Sequence, residues 1–257
     1  TAQNLAGAWA FQLDPQNEGL SERWFARTLA QSIQLPGSLQ AQGYGDDVSV
    51  DTPWIGDIVD RSWFTDERYA RYRQPGNVKV PFWLQPDKHY NGVAWYQREV
   101  IITPDWAGRR ITLTLERPHW KTRVWLDERE IGENTSLSTP HVYDLGCDIT
   151  PGAHRLTIQV TNTLIVNVGP NAHSVSDHAQ TNWNGIVGCI ELAAGSPVWI
   201  QAVQVYPDVA RQAMRVALEL GNAPGRPGRG QITLHAQSYN SPTSHAPIIG
   251  APMMDAP

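Results

Sequence analysis

The sequence predicts a mainly β protein, an antiparallel jelly-roll sandwich over residues 1–196 followed by a partial, immunoglobulin-like second sandwich over residues 197–257. Two observations carry this. Short segments in which apolar and polar side chains alternate recur from residue 92 onward, with turns rich in Pro, Gly, Asp and Asn between them. No long helical period competes.

Taken in order, residues 7–13 read as a strand and residues 22–26 as a short helix. Residues 42–88 form a long irregular insert rich in Asp, Trp, Tyr and Pro. Trp54, Trp63, Phe64, Tyr69, Tyr72, Phe82, Trp83 and Tyr90, in the insert and at its exit, make it too aromatic for disorder and too irregular for a sheet. It is expected to lie across the sandwich, since long ordered loops are commonly functional. Strands follow at 94–102, 109–116, 122–126, 141–145, 154–162, 188–193 and 199–206. In two of them Ile111, Leu113 and Leu115 alternate with Thr112, Thr114 and Glu116, and Leu156, Ile158 and Val160 repeat the pattern, so one face points inward. Such evenly spaced, half-buried strands suit a jelly roll.

Beyond residues 195–197 three more strands read at 198–206, 213–220 and 230–237, with a flexible Gly/Pro connection at 222–230. Residues 240–257 hold four prolines and no periodicity and read as a loose tail. An immunoglobulin-like sandwich takes roughly seven strands in about 100 residues. The second domain is therefore expected to be incomplete.

Composition narrows the function. A net charge of −5, with 20 basic residues scattered among 25 acids, excludes the clustered Lys and Arg that phosphate backbones require, so no nucleic-acid partner is expected. No stretch approaches the roughly 20 apolar residues of a membrane helix. The 11 Trp against 4 Phe stand out, because an indole offers a large flat face to a sugar ring, although a buried indole with its N–H satisfied is the ordinary use. Thr1 rather than Met at the start leans towards a processed or trimmed chain. Only Cys147 and Cys189 occur, without CxxC spacing, which leaves two buried thiols or one disulfide.

The densest concentration of sugar-bonding groups is the loop at 171–192, NAHSVSDHAQTNWNGIVGCIEL. Asp177, His178, Gln180, Thr181, Asn182 and Asn184 supply donors and acceptors, Trp183 a flat apolar face, and Gly185 a turn before Ile186 and Val187 re-enter a core. Three further islands accompany it: GVAWYQREVII at 92–102, LERPHWKTRVWLD at 115–127 and NTSLSTPHVYDL at 134–145. Together they resemble the amino-terminal sugar-binding domain of glycoside hydrolase family 2, the group of β-galactosidases, β-glucuronidases and β-mannosidases. The resemblance implies a galactose-binding-like jelly roll, an immunoglobulin-like domain, and a TIM barrel carrying both catalytic carboxylates. It also implies that loops of the first domain reach the terminal β-linked sugar. Asn91 and the run from Asp177 to Asn182, with His178 and Thr181 in it, occupy positions comparable to family residues that touch sugar hydroxyls, and Trp183 is a candidate beside them through its flat face.

A barrel takes about 250 residues, and only about 60 follow the first domain, so no barrel fits in this chain. No catalytic residue is therefore assigned. Asp87, Glu99, Asp144, Asp177 and Glu191 are the candidates nearest to aromatic loops for a carboxylate pair of the kind a retaining hydrolase needs, but Glu99 and Glu191 sit on strands where solvent-facing or ion-paired roles are commoner. His173, Asp177 and His178 lie on a loop without a regular element to present metal ligands, so no metal is expected. His119 and His141 read as packing residues. The glycine-rich run at 225–230 lacks the Lys-Ser/Thr pair and the helix of a phosphate loop, and no cofactor is expected. A non-catalytic part of a β-glycosidase and a free-standing carbohydrate-binding module are the two readings this leaves.

Overall fold

Alternation decides which side of each strand is buried. In Arg110–Leu115 the residues Ile111, Leu113 and Leu115 are buried while Arg110, Thr112 and Thr114 are only partly so. The computed structural model describes residues 1–82, 87–169, 172–173, 175–180, 182–236, 248–250 and 253–256, and it divides into two units, Thr1–Ala194 and Gly195–Pro257.

The first unit is a sandwich. One sheet has six strands in the order Arg129–Asn134, Lys121–Leu126, Gly152–Thr161, Val93–Ile102, Gly7–Asp14 and Gln31–Leu35. The facing sheet has four, in the order Ala2–Asn4, Ile190–Gly195, Arg110–Leu115 and His141–Gly146. Trp9, Phe11, Tyr96, Val124 and Ile158 from the first sheet share one core with Ile111, Leu113, Tyr143 and Leu192 from the second. At ~25 cal/mol per Å² of apolar area removed from water, this interlayer is the main source of stability.

Val93–Ile102 departs from simple alternation, its first five residues all being buried. The cause is a second small core on the outer face, where Trp95 stacks on Trp125 and packs with Trp24, Leu29 and Val93. The segment expected as a helix at 22–26 is a single 3-10 turn, Trp24–Ala26, that brings Trp24 onto this face. Gln97 fixes it there, accepting from Leu29 N (3.2 Å) and donating to Trp24 O (2.9 Å). Several of the numerous tryptophans thus have structural work.

The insert is not wholly irregular. It holds the short helix Ser62–Thr65, the 3-10 segment Glu67–Tyr72 and a pairing of Asp46–Asp47 with Lys88–His89. Trp63 is buried and donates from Nε1 to Lys79 O (2.7 Å), whereas Phe64, Tyr69 and Tyr72 each carry an arginine over the ring. Trp83 lies outside the described residues.

The tip between Lys121–Leu126 and Arg129–Asn134 is locked from its neighbour strand. Asp127, at φ 54°, accepts from Arg155 N (2.8 Å) and from His154 Nδ1 (2.7 Å), while His154 Nε2 donates to Thr150 O (2.8 Å). Both imidazole nitrogens therefore face acceptors, which only the protonated ring can satisfy. Burial pulls the His154 pKa down, but the bonds to Asp127 and Thr150 and the carboxylate charge outweigh it, and the net shift is upward. Asp127 is shifted downward, because the His154 and Arg155 bonds outweigh burial. The contribution of His154 is therefore complete below its ordinary value of ~6.5 and disappears as pH rises through the raised pKa. Buried His141 works the other way: Nε2 donates to Ser136 O (2.7 Å) and Nδ1 bonds Thr122 Oγ1 (2.6 Å), and burial lowers its pKa. We expect the stability difference between the wild type and His154→Gln, read from Tm, to shrink between pH 6 and pH 8.5. A pH-independent difference would contradict the assignment.

In the second unit, Val198–Asp208 and Ala213–Asn222 form a hairpin with a register shift between Ile200 and Ala202. The strand expected at 230–237 is two shorter ones, Gly228–Gln231 and Leu234–Ala236. The expected loose tail contains strands as well: Ile248–Gly250 pairs with Leu234–Ala236, and Met253–Ala256 with Gly228–Gln231. Cys147 is half-buried, Cys189 is exposed, and both are free thiols.

Candidate functional site

The loop that the sequence marks as sugar-facing leads into backbone pairing. Gly185–Ile186 bridges Gly37–Ser38 on one side and Pro118–His119 on the other. Gly185 is at φ 140°, and a Cβ there would sit 2.4 Å from Gly37 O, so the bridge closes only around glycine. Gly185→Ala is expected to cost about 3 kcal/mol, visible as a lower urea midpoint at unchanged m-value.

Three asparagines then lace the loop to the ends of Val93–Ile102 and Gly152–Thr161. Asn162 donates to Tyr90 O (2.7 Å) and Asn182 Oδ1 (2.8 Å) and accepts from Gly92 N (3.0 Å). Asn182 returns a bond to Asn162 O (2.9 Å), and Asn184 donates to Gly92 O (3.1 Å) while accepting from the Tyr96 phenol (3.2 Å). All three are buried. Burial raises the Tyr96 pKa far above its ordinary value, so the phenol stays a donor. Tyr90, raised chiefly by burial too, donates to Val93 O (2.5 Å).

Asp177 is the hub of a second set. It is 1% exposed, on the one-turn helix Asp177–Gln180. Its Oδ2 accepts from Ile55 N (2.7 Å) and His89 Nε2 (3.1 Å), its Oδ1 accepts from Asn182 N (2.9 Å), and its own N donates to Ile55 O (3.0 Å). The insert, the His89 segment and the loop thus converge on one carboxylate. Trp54 packs edge-on to His89 and Phe82, at 5.2 and 4.9 Å between ring centroids. Among the described residues, Trp54 Nε1, Ser176 Oγ and His178 Nδ1 are buried without a hydrogen-bond partner.

The structure therefore splits the set drawn from sequence. Asn91 is exposed between buried Tyr90 and Gly92, and Trp183 and His178 are half-buried. The Trp183 ring lies 4.6 Å from the His119 ring, and His119 Nδ1 donates to the Trp183 carbonyl (2.6 Å). Asp177 and Asn182, by contrast, spend their polar atoms inside the protein. Thr181 lies outside the described residues. His89, Tyr90, Tyr96 and Asn162 join this network as well; in the sequence Tyr90 stands only as an aromatic at the exit of the insert, Tyr96 only within the island at 92–102, and Asn162 only as the end of a strand. Among the described residues no group of three or more His, Cys, Asp or Glu side chains could hold a metal ion, and no helix is long and apolar enough to cross a membrane.

Residues 2–194 match the family model described as glycosyl hydrolases family 2, sugar binding domain. The chain belongs to glycosyl hydrolase family 2. It is 22% identical over 223 residues to a β-glucuronidase of Paenibacillus borealis, an alignment covering 80% of this chain and 31% of that protein. A β-galactosidase large subunit of Leuconostoc lactis is 24% identical over 211 residues, covering 80% and 31%. Among solved structures, the β-glucuronidase of Faecalibacterium prausnitzii superposes with TM-score 0.58 at 22% identity, covering 100% of this chain and 40% of its own. The β-glucuronidase of Ruminococcus gnavus in complex with D-glucaro-d-lactam gives 0.61 at 15% identity, covering 99% and 39%. The chain thus spans about a third of the first curated relative it matches.

Proposed function

We propose that this family 2 chain is the non-catalytic, sugar-binding part of a β-glycoside hydrolase. It walls the active site and touches the terminal β-linked sugar, while retaining hydrolysis is carried out by a (β/α)₈ barrel, an element of about 250 residues. The observation that supports this reading is the buried asparagine lattice. Asn162 bonds both Gly92 N and Asn182, so Asn91 and Trp183, 92 positions apart in sequence, are held by the same side chain. An exposed amide and a partly exposed indole held in this way suit a pyranose, whose hydroxyls need donors and acceptors and whose C–H face packs on a ring.

The test is calorimetric titration of the chain with β-linked glucuronides and galactosides, beside a hydrolysis assay on chromogenic versions. Weak binding without turnover is expected, and Trp183→Ala should reduce it about tenfold, the equivalent of ~1.4 kcal/mol. Measurable turnover by the pure chain would refute the proposal. Tight, micromolar binding would instead mark a free-standing carbohydrate-binding module.

A further inference from the structure

The outer face of the six-stranded sheet carries a cleft of about 500 Å³, on the flank of the sandwich and built from residues that the loop site does not use. That volume lies within the ~300–1,000 Å³ of small-ligand sites. Its lining includes Ala10 and Ala153, whose small side chains leave depth between longer neighbours, with Thr28 on one wall and the Asp127–Glu128 tip on another. Both walls are fixed in advance. Gln97 holds the segment carrying Thr28 through Trp24 O and Leu29 N, and Asp127 is held by His154 and Arg155 N.

The charges in the lining identify the ligand class. Glu128 is matched by Arg23 at 2.5 Å, and Asp127 by His154 at 2.7 Å. Arg98 spends its guanidinium on Leu5 O and Ala6 O, Arg155 adds its charge to Asp127 through space, and Glu99 and Arg155 are direct cross-strand partners whose side chains form no ion pair or hydrogen bond with each other. A carboxylate and a guanidinium side by side on one cleft, neither side chain engaged in a hydrogen bond, offer acceptors and donors to the same ligand. Neither a uronate nor a polycation gains from that arrangement, whereas a neutral polyol can donate to Glu99 and accept from Arg155 with adjacent hydroxyls. Ile101, 48% exposed and two residues from Glu99 on the same face, adds an apolar surface beside it.

We infer that this cleft is a second carbohydrate site, which takes a neutral sugar unit and is separate from the loop site at Asn91 and Trp183. The test is a ¹H–¹⁵N NMR titration of the whole chain with neutral β-linked disaccharides (cellobiose, lactose, mannobiose) and with a glucuronic-acid-containing disaccharide. At least one neutral disaccharide is expected to shift the amides of Glu99, Asp127 and Arg155 with millimolar affinity. Glu99→Gln and Arg155→Gln should each weaken this about tenfold, and Trp183→Ala should leave it unchanged. Absence of shifts at the cleft with every neutral disaccharide would overturn the inference. So would preference for the glucuronide, or unchanged affinity in both cleft variants. The two sites report on different amides, so one can fail while the other stands.

Discussion

Replacing Asp177 by Ala is expected to destabilise the first unit by about 3 kcal/mol and to free the insert from the loop at 171–192. The side chain is 1% exposed, and its loss leaves Ile55 N, Asn182 N and His89 Nε2 without their acceptor. Each buried unpaired donor costs about 1–3 kcal/mol, and relaxation or entering water recovers part of the sum. Asp177→Asn should rescue little. An amide has one acceptor oxygen where the carboxylate has two, so its NH₂ group would face Ile55 N or Asn182 N, donor against donor. Thermal unfolding reads the stability, and hydrogen exchange at the Ile55 amide reads the release of the insert. Equal Tm values for the wild type and both variants would show that Asp177 does not join the segments.

Asn162→Ala is expected to cost a comparable amount, about 3 kcal/mol, and to act on both halves of the candidate site at once. Gly92 N and Asn182 Oδ1 lose their partners, and so does the carbonyl of Tyr90. The measurable signature is coupling. In a double-mutant cycle, Asn162→Ala and Asn182→Ala should fall short of additivity by at least ~0.5 kcal/mol, because they remove the same mutual bond. Additive losses would mean that the two asparagines work independently.

Much of the fold was legible because strand burial repeats every second residue, as at Ile111, Leu113 and Leu115. The alternation failed where both faces are covered, at Trp95 and its neighbours, since a local pattern does not record what packs on the outer side. The tail was misread for a related reason. Ile248–Gly250 and Met253–Ala256 pair with strands earlier in the chain, and segments of three and four residues between prolines are too short to show a period.

The site was legible as a region and not as a set of contacts. Asp177, Asn182 and Asn184 carry the groups that bind sugars, but the same groups satisfy buried backbone, and composition does not distinguish the two uses. What separates them is the partner, which here comes from Ile55, His89, Asn162 or Tyr96, far off in sequence. Asn91 and Trp183 remain as the residues that face outward while the others hold them.

The most direct measurement is an NMR titration of the ¹⁵N-labelled chain with a non-hydrolysable β-glucuronide or β-galactoside, following the Asn91 side-chain amide and the Trp183 indole N–H. Both signals should move together along one binding curve, and both should lose their response in Asn162→Ala. Unmoved signals at saturating ligand, or a response that survives loss of Asn162, would contradict a sugar-facing surface held by the buried asparagine lattice.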